Sequence, residues 1–289
     1  MEKHESKSYQ VKQAIMAFVL SFAFVILLLT AQFLWKYNED IFYKHLDFSI
    51  MLEITLLAML NMVSFALPIS ILVTATVYYR NLFIKNVKHI NMKGGLFYSL
   101  FFSVFCFFWI AFIAPANNTS FYGLLYDIRC KFPDKPIDRS DSDIFIGSVH
   151  TSDYFQLGKQ IDLIKSQNRH KKLTSEQYSE YIQSDVVGHI NSYQIERMKM
   201  IGFPILTLIL FYFGMFLGII NRNNKLTFLL AGIYLIIIPG IYFLSYYFEK
   251  LARETTLTPM TGQLSFLFIL ILLTLGLFLY AKKHLKTNN

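Results

Sequence analysis

Six long apolar blocks run along the chain, separated by short polar segments and by one long one. They cover Val11–Trp35, Met51–Tyr79, Gly95–Pro115, Ile201–Ile220, Leu226–Phe248 and Leu264–Ala281. A helix needs about 20 mostly apolar residues to cross about 30 Å of hydrocarbon, so each block predicts one spanning helix. The first block is longer than a signal-peptide core and meets no small-residue cleavage site before the polar stretch, which predicts a retained span. Six nearly uncharged blocks could not all be hidden inside a soluble fold of this size. Pro68, Pro204 and Pro239 fall within spans two, four and five. They predict bends, which membrane helices tolerate when neighbours satisfy the freed carbonyl.

The polar segments set the organisation. Residues 36–50 are a short connection. The loop 80–94, YRNLFIKNVKHINMKGG with its flanks, predicts a short amphipathic interfacial helix, ended by Gly94 and Gly95. The segment 116–199 is the one sizeable polar insertion. Within it, 120–129 predicts a helix continuing out of span three, 144–150 a short strand, and 154–167 and 173–190 amphipathic helices. Thr174 and Gln177 have capping-box spacing. Residues 193–200 lead straight into span four. The fold class expected is an all-α polytopic membrane protein, with six transmembrane helices and a small, mostly helical periplasmic insertion between spans three and four. The division is 1–115, 116–200 and 201–289.

Composition agrees. The 289 residues are 54% hydrophobic and 16% charged, with mean hydropathy +0.42, where soluble domains carry nearer a quarter charged residues. The net charge of +8 is distributed unevenly. With six spans, one side carries twelve Lys and Arg, from Lys3 to Lys286, against only Glu2 and Glu5. The other side is close to neutral. The positive-inside rule places the basic side, with both termini, in the cytoplasm. Topology thus explains the basicity, and no nucleic-acid-binding module is visible.

Little catalytic chemistry can be read. There is no Walker A sequence, HExxH or GxSxG, and the seven histidines are scattered. Cys106 and Cys130 lack metal-ligand or redox spacing. The expectation is no catalytic residue, no metal and no cofactor. Polar side chains within spans are functional candidates by default, because lipid does not solvate them. Asn61 could bridge helices, Glu53 stands at the start of span two, and Lys36 can snorkel to headgroups.

Four stretches carry a family resemblance. They are QFLWKYNEDI (32–41), LEITLLAMLNMVSFALPISILVTATVYYR (52–80), IAPANNTSFYGLLYDIR (113–129), and the block 195–279, entered through Glu196-Arg197-Met198-Lys199. In order and spacing the chain resembles the LptF/LptG lipopolysaccharide export permease family, in a short form with a reduced periplasmic domain. The family's β-jellyroll between spans three and four is missing or drastically reduced in the 84 residues available here. Lys85-Asn86-Val87-Lys88 stands where the family carries an Asn-Glu pair.

The resemblance implies a membrane subunit of an ABC-type lipid extraction and export complex. It would pair with a second half-transporter, identical or not, and with a cytoplasmic ATP-binding subunit, without an ATPase site of its own. Acyl chains would contact spans one, two and five. Lys36 and Arg129 would meet anionic head groups at the outer rim, and Arg80, Lys85, Asn86 and Lys88 would form the ATPase-coupling segment. The alternative is a non-transporting structural or regulatory subunit that keeps the permease fold. A lipid-modifying membrane enzyme lacks a visible acid, base or metal set.

Overall fold

The computed structural model describes residues 2–36, 46–84, 92–131, 159, 176–221, 227–254 and 256–286. These are helical throughout apart from short turns, with no strand among the described residues. The helices are α1 (Glu2–Lys36), α2 (Phe48–Ile84), α3 (Met92–Phe108), α4 (Ala114–Lys131), α5 (Glu176–Ile220), α6 (Thr227–Arg253) and α7 (Pro259–Lys286). Trp109–Ile113 forms a π turn joining α3 to α4.

Five stretches are long and apolar enough to cross a membrane: Lys12–Trp35, Phe48–Ile84, Gly95–Leu125, Asn191–Ile220 and Pro259–Lys283. The remaining expected span, 226–248, falls on α6. The side chains of its first residues lie outside those described.

Several boundaries differ from the sequence reading, each for a physical reason. Gly94 and Gly95 do not end a helix; they lie in the first turn of α3. There Gly95 lets α3 approach α2, because a Cβ would collide with the Tyr79 hydroxyl. Span three does not stop at Pro115. The ring of a proline clashes with the carbonyl four residues back in an α-helix. Here the preceding turn widens: the Ala114 N–H donates to the Trp109 carbonyl, five residues back, and the helix continues through Pro115. The expected helix 120–129 is part of that continuation. Helix 173–190 and the lead-in to span four form one helix from Glu176 to Ile220, since 189–193 holds neither Gly nor Pro. The connection 37–45, residues 85–91 of the loop 80–94, the strand 144–150 and all of the helix 154–167 but residue 159 lie outside the described residues.

Helices α2 and α5 form the centre, and their mutual contact is the most extensive in the bundle. They run parallel and touch backbone to backbone. A Cβ on Gly214 would strike the Leu72 carbonyl oxygen, and one on Gly218 the Thr76 carbonyl oxygen. Such small-xxx-small spacing allows close membrane helix crossings. α1 packs on α2, α3 on α5, α4 on α2, and α7 on α5 and α6. The outward faces of α1, α3 and α7 remain apolar and exposed, as lipid-facing surfaces are. The bundle has a basic end, with Lys12, Arg80, Lys282 and Lys283, and a mixed-charge end, where α1, α4 and α6 finish and α2 and α7 begin.

Candidate functional site

The mixed-charge end gathers most of the polar chemistry of the described residues. On α5, Glu196 and Lys199 lie one turn apart. On α6, Glu249 and Arg253 lie one turn apart, just beyond the apolar stretch that ends at Phe248. The Lys199 ammonium donates to Glu196 Oε1 and reaches Glu249 Oε2, both at 2.9 Å. The Arg253 guanidinium donates to Glu249 Oε1 through Nη2 at 2.7 Å and Nε at 3.1 Å. It also lies 3.7 Å from Glu196 Oε1 and donates to Ser192 Oγ at 3.4 Å. Two acids and two bases thus form one alternating network across the α5–α6 contact. Lys199, Glu196 and Glu249 are mostly buried, which strengthens charge-assisted bonds relative to surface pairs. Burial works against the charge on Glu249, but Lys199 and Arg253 outweigh it and hold its carboxyl below the ordinary carboxylate range.

Beyond this network, backbone and side-chain hydrogen bonds close α6 and open α7. The N–H groups of Thr256 and Leu257 donate to the Leu251 carbonyl, closing α6. Thr258 caps α7: its Oγ1 accepts from the Thr261 N–H at 3.2 Å, with Pro259 as the first helical residue.

Inward of the network, α2 changes character along its length. Leu52, Leu56 and Leu60 form an exposed stripe at one-turn spacing, 49%, 52% and 40% exposed. From Asn61 to Leu72 every residue but Phe65 is buried. The bundle is therefore open around one half of α2 and closed around the other.

Polar bonds brace the closed half near its prolines. A proline removes one N–H from the ladder and leaves carbonyls under-satisfied. Beside Pro68, the Phe65 carbonyl accepts from the Tyr242 hydroxyl at 3.0 Å. The Pro204 carbonyl accepts from Ser103 Oγ at 2.8 Å. A shallow apolar crevice lies between α2, α5 and α6, with Pro68, Leu72, Leu206, Ile238 and Tyr242 on its walls. Among the expected acyl-contacting spans it therefore involves two and five, joined by four rather than one. Asn61 does bridge helices, as expected: the Asn117 amide nitrogen on α4 donates to Asn61 Oδ1, and also to the Leu57 carbonyl at 2.8 Å.

The head-group candidates Lys36 and Arg129 end α1 and lie near the end of α4, at the mixed-charge end. Their side chains are outside the described residues. Arg80 is on α2 at the basic end, where its backbone N–H lies against Gly218, and the next residue, Asn81, donates to Gln13 of α1 at 3.1 Å. Lys85, Asn86 and Lys88 lie outside the described residues. The sequence reading missed Asn117, Tyr242, Glu249 and Arg253. The Glu196–Lys199 and Glu249–Arg253 spacings were readable as helix-face pairs, but their union across some 50 residues was not. No group of three metal-ligating side chains occurs among the described residues. No known protein family, curated protein or solved structure matches the chain.

Proposed function

We propose that this chain is a membrane subunit of an ABC-type complex that extracts and exports a lipid of lipopolysaccharide-like character. The observation that carries this reading is the one-sided opening of α2. The exposed stripe Leu52, Leu56 and Leu60 offers acyl chains a lateral entry over the half of the bundle next to the mixed-charge end. The closed half below it, braced at Pro68 and Pro204, would stop them going further. Lys36 and Arg129 would meet anionic head groups above the stripe, where charge-assisted bonds to phosphate are strong.

In this reading the chain sits in a bacterial inner membrane with both termini in the cytoplasm. It pairs with a second half-transporter, and a cytoplasmic ATP-binding subunit docks at the basic end through Arg80, Lys85, Asn86 and Lys88. The apolar interior and the scarcity of charge within the spans favour lipid over ion cargo.

A second reading, a structural or regulatory subunit that keeps the fold without transporting, is favoured by one observation. The polar segment 116–199 between the expected spans three and four is only 84 residues long, so the relay domain that the resemblance implies is missing or drastically reduced. Affinity purification from native membranes tests the first reading. An ATP-binding subunit should co-purify, and a Lys85→Glu/Lys88→Glu variant should lose it. Recovery of no ATP-binding subunit by the unmodified chain would overturn the transporter reading.

A further inference from the structure

Among the described residues, the Asn61 amide nitrogen and the Thr30 hydroxyl are buried without a hydrogen-bond partner, at one level of the bundle. Asn61 is 8% exposed and Thr30 4%. Asn61 accepts through Oδ1, but its amide nitrogen Nδ2 donates to nothing among the described residues. The Thr30 hydroxyl on α1 is likewise unpartnered. This is out of character for the chain. Thr55, Thr74, Thr76, Thr207 and Thr274 all donate to the carbonyl four residues back, the usual resort of a threonine in a membrane helix.

Packing places the two groups at the same level of the bundle. Thr30 lies one turn from Ile26, which clusters with Val63 and Ile110, and one turn from Phe33, whose ring packs at a tilt against Phe121 beside Ile54 and Ala58. Asn61 lies between Ala58 and Val63 on α2, and Asn117 between Ile110 and Phe121 on the third wall. Thr30, Asn61 and Asn117 therefore form a polar layer between two apolar clusters. Just inward, Trp109 packs on the first cluster and adds another unpartnered donor, Nε1.

We propose that this layer is a site for ordered water, held by Asn61 Nδ2 and Thr30 Oγ1. An unpaired buried amide or hydroxyl costs about 1–3 kcal/mol, and lipid cannot relieve it. A water molecule accepts from the amide and donates to the hydroxyl, and the layer supplies the two or more polar partners a buried water needs. The site sits where α1, α2 and α4 meet, just inside the closed half of α2. The inference does not depend on the transport reading.

The test uses the full chain in lipid nanodiscs. If water is bound, Thr30→Val removes a ligand and strands the amide, so the thermal unfolding midpoint should fall by about 2–4 °C. Thr30→Ser keeps the hydroxyl and should stay nearer the parent. If the layer is dry, valine replaces an unsatisfied hydroxyl with a methyl of the same shape, and the midpoint should hold or rise; that result overturns the proposal. Infrared spectra supply a second reading. The parent should show a water O–H stretching band that shifts in H2(18)O and disappears in Thr30→Val. A parent without such a band also overturns it.

Discussion

Glu249 shows how one residue's environment becomes a pH dependence. Its carboxyl is titrated between burial, which opposes its charge, and Lys199 with Arg253, which prevail. The folded state therefore holds Glu249 ionised to lower pH than the unfolded chain does. Stability from this group is fully present above the unfolded carboxylate range and is lost as pH falls through that range and below. Thermal unfolding should show a midpoint that declines on acidification. Glu249→Gln should be less stable at neutral pH, by about 1.5–3 kcal/mol for the weakened charge-assisted bonds to Lys199 and Arg253, and should decline less in acid. Parallel pH curves for the two proteins would remove Glu249 from this role. The partner Lys199 was illegible in the sequence because it comes from a helix 50 residues away. Only the local Glu249–Arg253 spacing was on view.

At the scale of elements, the α2–α5 crossing was readable in outline and missed in detail. Hydrophobic length alone predicts both helices. The segment Gly214-Met-Phe-Leu-Gly218 has the small-xxx-small spacing of a close crossing, yet its partner face on α2 is set by packing. Backbone oxygens of Leu72 and Thr76 occupy the space of the missing Cβ atoms, so no flexible side-chain tip can yield. Gly218→Leu should force the helices apart at a cost of about 1–3 kcal/mol or more. It should appear as a lower unfolding midpoint and a smaller monodisperse fraction in size-exclusion chromatography. Gly276, where an added Cβ would meet nothing within 4 Å, supplies the control: Gly276→Leu should be tolerated, and equal damage from both would argue against the crossing. The π turn was not legible either. Pro115 signalled an ending, because a proline ends or kinks an α-helix by the local rule, whereas the helix absorbed it by widening one turn.

The whole molecule is polarised by charge, and this makes its orientation testable. Lys12, Arg80, Lys282 and Lys283 lie at one end, while Glu53, Glu196, Glu249 and Glu254 lie at the other. Block lengths and lysine positions made this polarity legible without any contact information, because it depends on how many times the chain crosses and not on how the helices touch. The positive-inside rule then predicts a cytoplasmic basic end. In a Cys130→Ser background, where the remaining Cys106 is buried, Thr256→Cys and Lys283→Cys place one thiol at each end. Position 256 is exposed in the turn between α6 and α7, and position 283 is exposed near the end of α7. A membrane-impermeant maleimide added from the non-cytoplasmic side should label Thr256→Cys at once and Lys283→Cys only after permeabilisation. The reverse pattern would turn the bundle over. It would put Lys36, Arg129 and the exposed stripe of α2 on the cytoplasmic side, where a lipid leaving the outer leaflet could not meet them, and the transport reading would fall with the orientation.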